Sequence, residues 1–160
     1  MPLSSSIVTR LEYQHKSLFE LIDDLSDELV RRHVIAGKWS IFENIVHLQT
    51  YQHTFLKRVK QIEEENKPSF ERYTAESDPL FYDNCLLTTR DIIQDLVTTR
   101  RVICSHLLNL KENILQRTGL HPLYGPMNIL HWCNFFLLHE AHHLFTIFKL
   151  VAEVKKVEKT

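Results

Sequence analysis

The stretch from 128 to 150, NILHWCNFFLLHEAHHLFTIFKL, decides the fold of this chain. At about 100° per residue, Asn128, Trp132, Phe135, His139, His143, Thr146 and Leu150 fall within roughly 40° of one direction. The segment therefore reads as a helix with one largely inward, partly aromatic stripe. Polar residues interrupt it too often for a membrane span, which needs roughly 18 to 20 uninterrupted apolar residues. The helix is expected to start near Met127 and to run to about Val154, followed by lysines that suit the negative end of the helix dipole.

Working back from that helix, a connection holds Gly119, His121-Pro122 and Gly125-Pro126. Before it, Asp78-Pro79 is a cap followed by proline at the first helical position, opening a third helix through Ile92, Ile93, Leu96, Ile103, Leu107 and Leu110 that fades near Asn113. The stretch from Glu63 to Asp78 is polar and irregular, long enough to carry the chain from one end of a bundle to the other, so helices two and three are expected to be parallel neighbours. Helix two opens on the capping box Ser40-Ile41-Phe42-Glu43 and carries Ile41, Ile45, Leu48, Phe55, Leu56 and Val59. Helix one is expected from about Ser5 to His33, on Ile7, Leu11, Leu18, Leu21, Ile22, Leu25 and Leu29, and to end around Gly37. The result is an all-α four-helix bundle, one domain over residues 1–160, with a long connection between helices two and three and no strand signal.

Composition narrows the function. Hydrophobic residues are 44% of the 160, with only 3 Gly and 5 Pro, which suits long helices and a core that needs no disulfides. A formal net charge of −1 and the absence of a basic stripe exclude an electrostatic footprint for nucleic acid. Cys85, Cys104 and Cys133 form no CxxC pair, and the first residues lack the apolar core of a signal peptide, so a reducing cytoplasm is the expected compartment. No glycine-rich phosphate loop and no GxSxG elbow occurs. The chemistry must come from side chains on helices.

Histidine is the residue that stands out. Ten in 160 would by chance give roughly 0.6 pairs spaced i, i+4, so the single pair His139 and His143 is not informative by count. Its place on the inward stripe is. Residues four apart on a helix have Cβ atoms about 5 to 6 Å apart, which lets two imidazoles converge on one ion. The competing reading is a pair of core histidines satisfied by ordinary hydrogen bonds. His139-Glu140-Ala141-His142-His143 also matches the H-E-x-x-H protease pattern, with Glu140 as base, but the carboxylates downstream are Glu153 and Glu158, and the first lies about 15 Å along the axis, out of reach. His142, about 100° from His143, is expected to pack rather than ligate. His15, His33, His53, His106 and His131 default to structural roles, Trp39 to a staple under helix two and Cys133 to the core, while His121 either forms a turn or hangs over the metal cleft.

Three stretches carry a family resemblance: Lys38-Trp39-Ser40 through His47-Leu48, His121-Pro122-Leu123-Tyr124-Gly125-Pro126-Met127, and Leu138 through Leu144. In order and spacing the chain resembles the DinB-like superfamily of metal-binding four-helix bundles, related to thiol-dependent transferases of bacteria. The resemblance implies that His47, His139 and His143 bind a divalent metal ion, zinc or nickel first among the candidates, with a coordination position left open. It implies a reaction in which a low-molecular-weight thiol attacks a small electrophile, the alternative being a non-catalytic metal-containing stress-response or ligand-binding bundle. A homodimer is expected by the same resemblance, and neither a nucleic acid nor a membrane as partner. From the residues alone His47 is the weakest of the three, about 110° from the apolar line of helix two. Glu43, Asn44, Tyr51 and Thr54 share its face, so they either line a cleft with it or face solvent.

Overall fold

The computed structural model describes residues 2–158. Long helices account for most of it. Ser4 caps α1 (Ser5–Tyr13) by accepting the Ile7 N–H at 3.3 Å. A 3₁₀ turn at Gln14–Lys16 leads to α2 (Ser17–Ile22), and Ser26 caps a further piece, α3 (Asp27–Arg31). The single helix expected from Ser5 to His33 is thus three pieces. The tighter turn swings His15 into the core, where it is 7% exposed, and the Ser26 hydroxyl offers its cap where a continuous helix would need the backbone alone.

The capping box forms as expected at the start of α4 (Ile41–Glu64): Ser40 Oγ accepts the Glu43 N–H at 3.2 Å and Glu43 Oε2 accepts the Ser40 N–H at 2.7 Å. Helix three is also divided. Asp78 caps α5 (Pro79–Cys85), the chain turns at Leu86–Thr88, and Thr88 caps α6 (Thr89–Leu108) by accepting the Asp91 N–H. One more turn, α7 (Glu112–Leu115), precedes a two-stranded antiparallel hairpin, β1 (Thr118–His121) and β2 (Gly125–Asn128). This hairpin corrects the strandless reading. Its turn relies on Gly125 at φ 68°, in the region that favours glycine, and Gly119 lets the strand press on its neighbours, since a Cβ there would lie 2.6 Å from Phe70 and 2.9 Å from Ile62. The last helix, α8, spans Ile129–Glu158.

Hydrogen bonds between side chains fix the helix directions. Gln49 and His53 reach Asp95, Gln52 reaches the Leu96 carbonyl, and Glu63 reaches His106, so α4 and α6 run parallel, as the long connection predicts. His47 meets His139 and Asn44 meets His143, so α8 runs antiparallel to α4. Arg10 bonds Asn134 and Asp24 bonds Lys155, so the first helical stretch runs with α8. The bundle is up, down, down, up.

Its interior holds two apolar clusters. One contains Leu18, Leu48, Leu96 and Leu144, the other Leu11, Phe55, Ile103 and Phe136. At their junction lies a polar layer: His15, Gln52, Arg100 and Glu140, all at most 7% exposed. Buried polar groups are costly unless satisfied; in this layer Arg100 joins Gln52 and Glu140 in one network, while His15 Nδ1 and Glu140 Oε1 have no hydrogen-bond partner among the described residues. The candidate site sits beside it.

Candidate metal centre

Helix α4 is buried on nearly every side between Asn44 and Gln52, because α6, α8, α5 and the segment 65–78 all cover it. His47 is therefore 5% exposed, although it stands off the helix's apolar line. From α8 the half-buried His139 and His143 approach it. His47 Nε2 and His139 Nε2 are 3.0 Å apart, and one ring nitrogen from each of the three histidines lies within 4.8 Å of the others. Two nitrogens bound at about 2.0 to 2.1 Å to one ion sit at most about 4 Å apart, so the closest pair has the right spacing to share one.

The donor chemistry fits as well. Asn44 Nδ2 donates to the Ser40 carbonyl at 2.8 Å, which turns Asn44 Oδ1 toward His143 Nδ1 at 2.9 Å. His143 Nδ1 is then the protonated nitrogen, and its Nε2 lone pair is left for a ligand. His47 and His139 leave Nδ1 buried without a partner among the described residues, with the Nε2 atoms facing each other. Burial holds His47 at about 4, His139 at about 3 and His143 at about 2, and neighbouring histidines add to the depression of all three. Glu76 and Asp78 pull His47 the other way without overcoming burial. All three are neutral at pH 7, the form a metal requires.

Aromatic rings wall the triad. Trp39 lies 5.2 Å from His47 and 6.3 Å from His143, so it packs on two of the three imidazoles as well as near the start of α4. Tyr51 lies 4.2 Å from His139 and Tyr73 lies 5.7 Å from His47. Two of the clefts among the described residues reach the triad. One, of about 510 Å³, is lined by Trp39, Glu76 and His143; the other, of about 240 Å³, by His47, His139, Tyr73 and Arg58.

Several sequence expectations find their place here. Asn44 and Tyr51 do share the cleft side of α4, and Thr54 is half-buried. Glu43 does not line the cleft: its carboxylate is taken by the Ser40 N–H and by His33 at 3.3 Å, which removes it as a base. Glu140 points away from the triad into the polar layer, where Arg100 bonds it. The H-E-x-x-H match is thus coincidental in geometry, because the Glu140 carboxylate is bonded to Arg100 in the buried layer instead of serving the triad. His142 is exposed and stacks edge-on against His143 at 5.2 Å. His121 makes the turn, its Nδ1 accepting the Leu123 and Tyr124 N–H groups, and it also lines the smaller cleft. Cys133 is fully buried, its thiol pushed up to about 12. Arg58, Arg72, Tyr73 and Glu76, which the sequence reading passed over, border the clefts. For Arg58 a signal existed: His47, Tyr51, Thr54 and Arg58 follow i, i+4, i+7, i+11 along one helix face.

Fold and site define a class, the four-helix bundle with a three-imidazole cluster between facing helices. Within it the chain belongs to the DinB superfamily, whose family model matches residues 10–147. It is similar to YuaE of Bacillus subtilis (strain 168), an uncharacterised protein, with 25% identity over 144 residues that cover 82% of this chain and 89% of that one. In shape it is similar to YfiT from Bacillus subtilis, described as a probable metal-dependent hydrolase with an unusual four-helix bundle topology. The TM-score is 0.77 at 18% identity, covering 91% of this chain and 83% of YfiT. It is also similar to TT2238, a four-helix bundle protein, with a TM-score of 0.65 at 18% identity over 88% and 94% of the two chains. Likeness at this identity establishes the fold, and the bundle expected from sequence is that fold. No helix among the described residues is long and apolar enough to cross a membrane.

Proposed function

We propose that this chain holds one divalent metal ion, zinc or nickel, on His47, His139 and His143, and is a metal-dependent transferase that activates a low-molecular-weight thiol toward a small electrophile. The observation that carries the reading is the convergence of three neutral imidazoles, one of them fixed in tautomer by Asn44. Three protein ligands are the number found in catalytic rather than closed structural sites. An ion held there lowers the pKa of a bound thiol or water by several units. The triad supplies the ligands, Trp39, Tyr51 and Tyr73 restrict water around them, and the two clefts give separate approaches for two reactants.

With Glu140 tied to Arg100 and Glu43 to its cap, neither carboxylate is free as a base. Thiol activation does not require one, since metal binding itself deprotonates sulfur. A second reading, hydrolysis, draws on the likeness to YfiT and uses the same three ligands.

The test is metal analysis followed by turnover of a chlorinated nitrobenzene or an epoxide with a panel of thiols, beside ester hydrolysis without thiol. One ion per chain and thiol-dependent turnover are expected, with turnover lost in His139→Ala. Ester turnover without thiol would replace transfer by hydrolysis, and an ion with no turnover of either kind would leave a binding bundle. Asn44→Ala isolates the supporting hydrogen bond: it should weaken zinc binding by about 10- to 100-fold, measured by competition with a chromogenic chelator. Unchanged affinity would mean that the tautomer of His143 does not depend on Asn44.

A further inference from the structure

The smaller cleft, which opens on His47 and His139, carries two arginines and no carboxylate in its lining. Arg58 enters it from α4, three turns beyond His47. It is 8% exposed, donates Nη2 to the Glu71 carbonyl at 2.8 Å, and lies 5.3 Å from the ring centre of Phe70 and 5.4 Å from that of Trp132. Burial disfavours its charged form; Tyr51 and Tyr73 oppose that, and no acidic residue is among the groups that do. Arg72 faces the same cleft from the segment after α4, exposed, with no ion-pair partner among the described residues.

A guanidinium cannot shed its charge, and burying it without a counter-ion is expensive. Such an arrangement is explained if the counter-charge arrives with a ligand. Planar guanidinium groups recognise carboxylates through paired N–H bonds, and the other walls of the cleft, Tyr51, Tyr73, Tyr124 and Phe135, suit an apolar or aromatic body.

We infer that this cleft binds a small molecule bearing a carboxylate, with the carboxylate on Arg58 and Arg72 and the reacting end toward the histidine triad. The orientation of the reacting end rests on the metal centre proposed above; the carboxylate subsite stands on the two arginines.

The experiment compares benzoate with benzamide, an uncharged probe of the same shape, by NMR titration of the full chain, both metal-free and zinc-loaded. Benzoate should bind about tenfold more tightly than benzamide, the equivalent of one charge-assisted contact. Arg72→Ala, at an exposed position, should reduce that preference several-fold without moving the thermal midpoint, and Arg58→Gln should abolish it. Equal binding of the two probes, no binding of either, or a preference intact in Arg72→Ala would overturn the inference. The two proposals fail separately. If zinc does not bind but the preference for benzoate persists, the metal centre falls and the carboxylate subsite stands; if zinc binds without any preference, the reverse holds.

Discussion

His139→Ala is expected to lose the bound ion and, with it, the whole of the metal-dependent gain in thermal stability. An ion present at about a hundred times its dissociation constant adds about 2.7 kcal/mol to a folded chain that binds it. For a chain of this size that raises the midpoint by roughly 5 to 11 °C. His139 is the residue to remove because its Nε2 belongs to the 3.0 Å nitrogen pair with His47, and its ring lies 4.7 Å from that of His143, which in turn lies 4.4 Å from that of His47. Zinc or nickel should raise the wild-type midpoint and leave that of His139→Ala unmoved, and His47→Ala and His143→Ala should behave alike. An equal shift in the variant would place the ion elsewhere.

The same residues set a pH dependence in the metal-free chain. Burial holds the three imidazoles at about 4, 3 and 2, below the ordinary value of 6.5. Below pH 6.5 the unfolded chain therefore binds more protons than the native one, and stability falls with falling pH. Their contribution is complete above about pH 6.5 and drains as pH drops from there toward the folded values. The metal-free midpoint should fall on acidification, less steeply in His139→Ala, where one of the three groups is gone.

How much of this was legible in the sequence follows from which forces are local. Caps are local, so Ser40 with Glu43 and Asp78 with Pro79 mark true helix starts. The parallel course of α4 and α6 follows from the length of the chain between them. The divisions at Gln14–Lys16 and Leu86–Thr88 were hidden because the apolar spacing continues through them, and the hairpin because four-residue strands are too short to display alternation. At the site, the i, i+4 spacing and inward stripe located His139 and His143. His47 was underrated because the angle to an apolar line measures burial only when one face of a helix is covered, whereas α4 is covered almost all round. Tyr73 and Glu76 were missed for a related reason: a polar connection read as a span folds back over the triad.

Arg100→Met is expected to destabilise the chain by about 3 to 5 kcal/mol, the cost of leaving a buried charge without its partner. Arg100 donates to Gln52 Oε1 at 2.8 Å, to the Leu11 carbonyl at 3.2 Å and to Glu140, joining α1, α4, α6 and α8 in one layer. Both side chains of the ion pair are 3% exposed. Burial pushes the Glu140 carboxyl above its usual range even with Arg100 pulling it down. Without Arg100 it rises further, so the native state keeps a proton that the unfolded state releases. Its contribution is then fully present below the unfolded value of 4.5 and lost as pH rises through the folded value. The deficit of Arg100→Met against wild type should therefore be smaller in acid than at neutral pH, as urea unfolding at several pH values would measure. Replacing both partners, as Arg100→Met with Glu140→Leu, removes the stranded carboxylate and should recover most of the loss. That double variant also separates folding from ligation, because Glu140 follows His139 directly on α8. If it regains stability and binds zinc as wild type does, the pair serves the bundle; if it regains stability but binds zinc weakly, the pair also holds the turn of α8 that presents His139.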